Sequence, residues 1–165
     1  MKKITLFIIL CISSVSAQVS SRIEGIIINS PCELEYTRNL GNQNNYSCVA
    51  QIEEGKIDNY SVTVQNLNSS MNGLNENSLK TYKSTFLKTA EINYKNAGET
   101  PKYLKLSNGI DAISSISYLT YQEQKFRVIS ITFLYKQKSF IVNLTTNKLN
   151  RDNEINNLIN RILFK

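Results

Sequence analysis

The sequence predicts an α+β domain in which an antiparallel β-sheet is packed by a long middle helix and a C-terminal helix. Several segments alternate apolar and polar residues, as half-buried strands do. One long stretch instead places apolar residues at helical intervals, and a shorter helical stripe closes the chain. An order of strands, helix, strands and helix favours a sheet with helices laid on it. The chain has 165 residues, which suits one domain.

The first 17 residues predict a secretory signal peptide. Lys2 and Lys3 supply positive charge, Ile4–Ile12 is apolar, and Val15–Ala17 is a small-residue cleavage site. The apolar run is too short to span a bilayer. We therefore expect residues 18–165 to form a single exported α+β domain, periplasmic or secreted, that is not an integral membrane protein.

Export determines how the cysteines are interpreted. Cys11 falls within the predicted signal, and its lipidation is disfavoured because the preceding Leu10 is not small. Cys32 and Cys48 remain, and an oxidising compartment favours one disulfide between them. They lie symmetrically about Leu40, so a hairpin that turns there would bring them opposite each other. A redox pair or a zinc site is disfavoured, since the chain has no C-x-x-C spacing and no histidine.

Strands fill the first half of the expected mature chain, and residues 68–75, rich in Ser, Asn and Gly, predict an exposed loop. The expected first strand is Ile23–Asn29. The hairpin has arms at Cys32–Tyr36 and Tyr46–Ile52, joined by the turn-forming segment Arg38–Asn44. A further strand, Tyr60–Leu67, directs alternate side chains to one face: Tyr60, Val62 and Val64.

The periodicity changes to a helical one over Asn77–Asn96. Asn77 or Ser78 is the expected N-cap, and the segment around Gly98 and Pro101 ends the helix. Its apolar positions are Leu79, Tyr82, Phe86, Leu87, Ala90 and Tyr94. Lysines occupy its other faces.

An antiparallel meander and a second helix complete the expected fold. Asn108-Gly109 is a strong hairpin signal, and Lys125–Leu134 is apolar on both faces, which indicates an interior strand. The meander strands are Lys102–Ser107, Ile110–Tyr121, Lys125–Leu134 and Ser139–Thr145. Asp152 or Asn153 caps the final helix. Its apolar stripe is Ile155, Leu158, Ile159, Ile162 and Leu163.

This element order, which runs from Ile23 to Phe164, resembles that of the Mog1/PsbP-like α/β/α sandwich domains. The resemblance rests on the long helix after the Tyr60–Leu67 strand and on the helix that closes the meander. Members of that family include accessory subunits of photosystems and nuclear-transport regulators, and many are exported proteins without known activity. The resemblance implies a non-catalytic scaffold that presents a surface to a partner.

Composition disfavours several classes of function. Without Lys2 and Lys3, 17 basic residues face 13 acidic ones, a net charge of about +4. These basic residues are scattered rather than clustered in a stripe, so we expect no nucleic-acid partner. The absence of histidine removes the commonest general base and the usual Ser-His or Cys-His pair. We therefore assign no catalytic residue, no metal and no cofactor.

We expect an exported, non-enzymatic binding or accessory domain that contacts a protein or envelope partner. Tyrosine is favoured at interfaces because a rigid aromatic body carries a polar tip. The candidate binding surface comprises Tyr82, Tyr94, Tyr118 and Tyr121. One alternative is a carrier of a small apolar ligand between sheet and helix, with the lining Phe126, Phe133, Phe140 and Tyr82. The other is a small carboxylate-dependent hydrolase, although Glu33 and Glu35 share one exposed strand face.

Overall fold

The computed structural model describes residues 18–149 and 153–165. The predicted signal peptide and the candidate cap Asp152 lie outside the described residues. In chain order the strands are β1 (Val19–Ile23), β2 (Ile26–Ser30), β3 (Glu35–Leu40), β4 (Gln43–Glu53), β5 (Lys56–Asn66), β6 (Lys102–Lys105), β7 (Asp111–Tyr121), β8 (Gln124–Tyr135), β9 (Lys138–Thr146) and β10 (Ile162–Phe164). The helices are α1 (Asn68–Met71), α2 (Glu76–Asn96) and α3 (Glu154–Ile159).

Seven antiparallel strands form the larger sheet, in the order β3-β4-β5-β9-β8-β7-β6. Tight turns join several of its neighbouring strands: Gln122 and Glu123, between β7 and β8, both have positive φ angles (47° and 63°). Such a pair of angles matches the right-handed twist of the flanking strands. The predicted antiparallel meander is thus confirmed, and β8 lies inside the sheet as its two apolar faces indicate.

A second, three-stranded sheet has the order β1-β2-β10. The expected single strand over Ile23–Asn29 was wrong, because the chain reverses within that segment. Glu24 and Gly25 have φ angles of 48° and 103°, and they form the turn between β1 and β2. Gly25 tolerates this conformation because it has no Cβ atom.

The larger sheet separates two packed layers. On one face α2 covers part of β7 and β8, where the Tyr94 hydroxyl lies 2.7 Å from Thr132 Oγ1. On the opposite face Ile129, Ile131 and Phe133 are buried in the main core, with side chains of the smaller sheet and of α3. Alternate residues of β8 therefore pack into two different apolar layers, one on each face of the larger sheet. The predicted antiparallel sheet packed by helices is confirmed, and the layer opposite α2 combines α3 with the smaller sheet.

The expected C-terminal helix is shorter than its apolar stripe suggested. Helix α3 has six residues, and Ile162 pairs with Ile28 of β2 instead of extending the helix. Strand β2 would otherwise present unpaired N–H and C=O groups along that edge, and β10 satisfies them. Asn153 occupies the N-cap position of α3, as predicted, but its backbone is left-handed (φ 59°) and its side chain makes no capping hydrogen bond.

Helix α2 matches the predicted long helix closely. Its N-cap is Asn75, whose Oδ1 accepts from the backbone N–H of Ser78 at 2.9 Å, so the choice of Asn77 or Ser78 was wrong. Gly98, with φ 77°, follows its end, as predicted. The expected loop at residues 68–75 contains the short α1, which buries Met71.

The predicted disulfide is confirmed, because the sulfurs of Cys32 and Cys48 lie 2.08 Å apart. The hairpin around it differs from the expectation. The chain turns at Gly41 and Asn42, and most of the segment expected as a loop is paired strand. Cys32 precedes β3, while Cys48 pairs with Tyr60 of β5, so the disulfide ties the entry to β3 onto β4.

Candidate binding cleft

A half-open cleft of about 740 Å³ lies between α2 and the region where β6 and β8 end and β7 begins. This volume is within the usual range for small-molecule sites. Its apolar and aromatic lining consists of Leu87, Tyr103, Leu104, Ile110, Leu134 and Tyr135. Its charged lining consists of Lys80, Lys83, Lys88, Lys136, Glu91 and Asp111.

One face of α2 forms a wall of the cleft. Its lining residues on the helix, at positions 80, 83, 84, 87, 88 and 91, recur every three or four residues, which places them on the same face. Leu87 is buried, whereas Lys80, Lys83 and Lys88 are exposed. The helix therefore presents an apolar base with a rim of lysines.

Both acids of the cleft are engaged by lysines that do not line it. Lys95 pairs with Glu91, and Lys105 Nζ lies 2.6 Å from Asp111 Oδ1. The Tyr103 hydroxyl also donates to Glu91 Oε2 at 2.8 Å. The hydrogen bond from Lys95, and then that from Tyr103, hold the pKa of Glu91 below its usual value. Glu91 is consequently ionised at neutral pH, so it is poorly suited to act as a general acid there.

The lysines of the rim leave the cleft with uncompensated positive charge. Lys80, Lys83 and Lys88 make no ion pair with any acid among residues 18–149 and 153–165. Lys136 Nζ donates to the carbonyl oxygen of Lys165 at 2.8 Å and lies 5.2 Å from the ring centroid of Tyr135. Since Lys80, Lys83 and Lys88 outnumber the two acids of the cleft, the cleft favours an anionic group.

The four tyrosines of the candidate surface do not come together. Tyr82, on the inner side of α2, packs beside Leu67. Burial raises the pKa of Tyr94, which bonds to Thr132 on the face of the larger sheet that α2 covers. Tyr118 and Tyr121 are exposed near the end of β7, and they point to opposite faces because they lie three residues apart on a strand. The structure thus divides the set into two core contacts and two separate exposed side chains.

The phenylalanines proposed to line a pocket fill the core instead. Phe133 and Phe140 are fully buried and stacked, with ring centroids 5.2 Å apart. Phe126 lies on the other face of β8, as its even spacing from Thr132 requires. The cleft is lined instead by lysines of α2. Their spacing in the sequence shows that they lie off the apolar stripe of the helix, but it does not show that they line a site.

Glu33 and Glu35 are exposed at the start of β3, away from the cleft lining. Within the part of the chain that the structure describes, no three His, Cys, Asp or Glu side chains cluster so as to hold a metal ion. In the same residues, no helix is long and apolar enough to cross a membrane.

No protein-family model matches the chain, and no curated protein matches it in sequence. A solved structure from Bacteroides thetaiotaomicron VPI-5482 is similar over 85% of this chain, with a TM-score of 0.52 and 10% sequence identity. The chain spans 45% of the length of that protein. A Pseudomonas aeruginosa protein of unknown function, PA94, is similar over 78% of this chain and 82% of its own, with a TM-score of 0.40 and 7% identity. The first likeness is one of fold.

Proposed function

We propose that this protein is a non-enzymatic binding domain, acting after export, whose cleft takes a ligand with negative charge on an apolar body. The observation that carries the proposal is the unpaired lysine rim: Lys80, Lys83 and Lys88 surround an apolar base, and the cleft's two acids are already engaged. A concave site lined by one sign of charge concentrates ligands of the opposite sign.

The apolar base supports a ligand with an apolar part. Leu87 and Leu134 are buried beneath the cleft, and Leu104 and Ile110 border it from the β6–β7 side. Apolar surface with a few convergent polar groups is typical of ligand sites. The carrier hypothesis therefore keeps its location between sheet and helix, with the residues of the cleft in place of the phenylalanines as the lining.

Two further observations agree with a partner-binding role. A disulfide such as Cys32–Cys48 persists in oxidising compartments, which supports export and is consistent with an expected partner in the envelope or outside the cell. The element order that resembles Mog1/PsbP-like α/β/α domains implies a scaffold that presents a surface. A carboxylate-dependent hydrolase is less well supported, because Glu91 and Asp111 of the cleft are each paired with a lysine.

Three amphiphiles of equal chain length test the proposal: dodecanoate, dodecanol and dodecyltrimethylammonium. They are titrated calorimetrically, the two ions below their micelle concentrations and dodecanol below its solubility limit. We expect affinity to fall in that order, because only the first combines an apolar tail with a negative head. Lys83→Ala should weaken dodecanoate binding about threefold, whereas Lys125→Ala, at the distant end of β8, should leave it unchanged. Equal affinity for the cationic amphiphile would contradict the proposal.

A further inference from the structure

Strand β6 forms one edge of the larger sheet, and no strand among the described residues pairs with its outer side. An unpaired edge offers backbone N–H and C=O groups to another extended chain. Two of the four β6 residues, Lys102 and Lys105, are lysines, which discourage pairing with a second copy of this basic chain. Lys105 is paired with Asp111, so on β6 it is the charge of Lys102 that favours an acidic segment.

The edge of β6 and the cleft are continuous. Tyr103 and Leu104 of β6 line the cleft, and the Tyr103 side chain reaches α2 at Glu91. A strand added beside β6 would direct alternate side chains toward the same face of the sheet as Tyr103. That face is the one on which α2 presents its lysine rim.

The opposite edge of the sheet lacks this combination. Strand β3 is interrupted by a register shift between Tyr36 and Arg38, and such bulges discourage edge pairing. Glu35 and Arg38 give it mixed charge, and no residue of β3 lines the cleft. Edge geometry, positive charge and an apolar recess therefore coincide at β6.

We infer that the ligand of the cleft is an extended acidic peptide segment of a partner protein, which pairs with β6 as an added strand and directs its acidic side chains at the lysine rim. This inference rests on the proposed function and names the chemistry of the partner. Backbone hydrogen bonds to β6 would supply affinity, and alternate side chains would supply specificity.

The test uses a fluorescently labelled peptide of alternating Glu and Val, with binding measured by fluorescence anisotropy on the disulfide-intact protein. A matched peptide carries Lys in place of Glu. Two further peptides retain the Glu side chains but are N-methylated at one or the other set of alternate residues. Only alternate N–H groups of an added strand face its neighbour, so one N-methylated set should weaken binding by roughly tenfold and the other far less.

Variants locate the peptide on the protein. Lys80→Ala combined with Lys83→Ala should weaken binding of the unmodified acidic peptide by about fivefold to tenfold, and Lys125→Ala should have no effect. The Lys-containing peptide should not bind. Equal affinity of the two N-methylated peptides and the unmodified one would overturn strand pairing.

The outcomes also separate this inference from the proposal on which it rests. If dodecanoate binds and the acidic peptide does not, the peptide inference is overturned and the anion-binding cleft stands. If neither ligand binds, both are overturned. If the peptide binds equally well to the Lys80→Ala/Lys83→Ala variant, the site on α2 is wrong.

Discussion

Replacing Glu24 by Gln should loosen the attachment of the smaller sheet to the larger one. Glu24 lies in the turn between β1 and β2, and its Oε1 accepts from Asn44 Nδ2 at 2.8 Å and from the Tyr46 hydroxyl at 3.2 Å. Its Oε2 accepts from Lys138 Nζ at 2.8 Å. One carboxylate thus connects the smaller sheet to β4 and β9 of the larger sheet.

The size of the effect follows from the burial of this contact. The Glu24 and Lys138 side chains are 21% and 27% exposed, so water only partly screens their attraction. Gln has nearly the same shape and keeps one acceptor oxygen, but it loses the negative charge. Hydrogen bonds to charged groups contribute about 1 kcal/mol more than neutral ones. We therefore expect Glu24→Gln to lower the free energy of unfolding by about 1–2 kcal/mol at neutral pH.

The loss should depend on pH. Burial alone would raise the pKa of Glu24, but hydrogen bonds from Asn44 and Lys138 and the charge of Lys138 outweigh it, so the pKa lies below its ordinary value of 4.5. The folded state therefore favours the ionised form. Its contribution is present above pH 4.5 and disappears as the pH falls through the lower folded-state pKa. The difference between wild type and Glu24→Gln should shrink accordingly.

Urea unfolding followed by circular dichroism, at about pH 7 and about pH 3, measures this difference. Glu35→Gln is the matched control, since Glu35 is exposed on the edge strand β3. It should change the stability by less than about 0.5 kcal/mol. An equal loss for Glu24→Gln at both pH values would refute the reasoning, because the lost stability could not then come from the carboxylate charge.

Two further substitutions test other parts of the fold. Cys32→Ala combined with Cys48→Ala should lower the free energy of unfolding by about 3 kcal/mol, since the disulfide joins residues 16 apart; a loss below about 1 kcal/mol in urea unfolding would contradict this account. Ile162→Ala should cost about 2–4 kcal/mol in the same assay because Ile162 of β10 is fully buried. The neighbouring Leu163 is 40% exposed, so Leu163→Ala should lower the free energy of unfolding clearly less. Equal losses for the two variants would contradict the burial of Ile162 and the exposure of Leu163 in β10.

The spacing of apolar residues predicted the strands and helices in which that spacing matches the buried face. Tyr60, Val62 and Val64 alternate along β5 and are all buried, because one face of that strand packs on the core. The helical spacing of Leu79 and Phe86 likewise predicted α2, whose inner face contacts Leu134 of the sheet. In both elements the sequence period and the tertiary packing agree.

The errors arise where distant partners decide the local structure. Ile162 continues a helical stripe, yet it lies in a strand because β2, far away in sequence, offers a free edge. The Glu24-Gly25 turn carries a weaker hairpin signal than Asn-Gly, so it was not predicted. The local spacing of apolar residues gives no information about where β2 lies or about the contacts that the Glu24-Gly25 turn makes.

The cleft was unpredictable for the same reason. The sequence shows that Lys80, Lys83 and Lys88 lie off the apolar stripe of α2, which on most helices means a solvated face. Their role depends on where β6 docks, and β6 is fixed by pairing with β7 and by the contact between Tyr103 and Glu91. A charged face becomes a site only when an element remote in sequence supplies the opposite wall.

The two edges of the larger sheet are treated differently, and this asymmetry bears on function. At the β3 edge the chain is bulged, carries mixed charge and is tied to β4 through Cys32 and Cys48. At the β6 edge a short strand pairs, within the described part of the chain, only with β7, and it borders an open, positively charged cleft. The disulfide stabilises the sheet at its β3 edge and leaves the β6 edge unconstrained. A partner strand could therefore join β6 without displacing any contact of the core, which is the arrangement that strand addition requires.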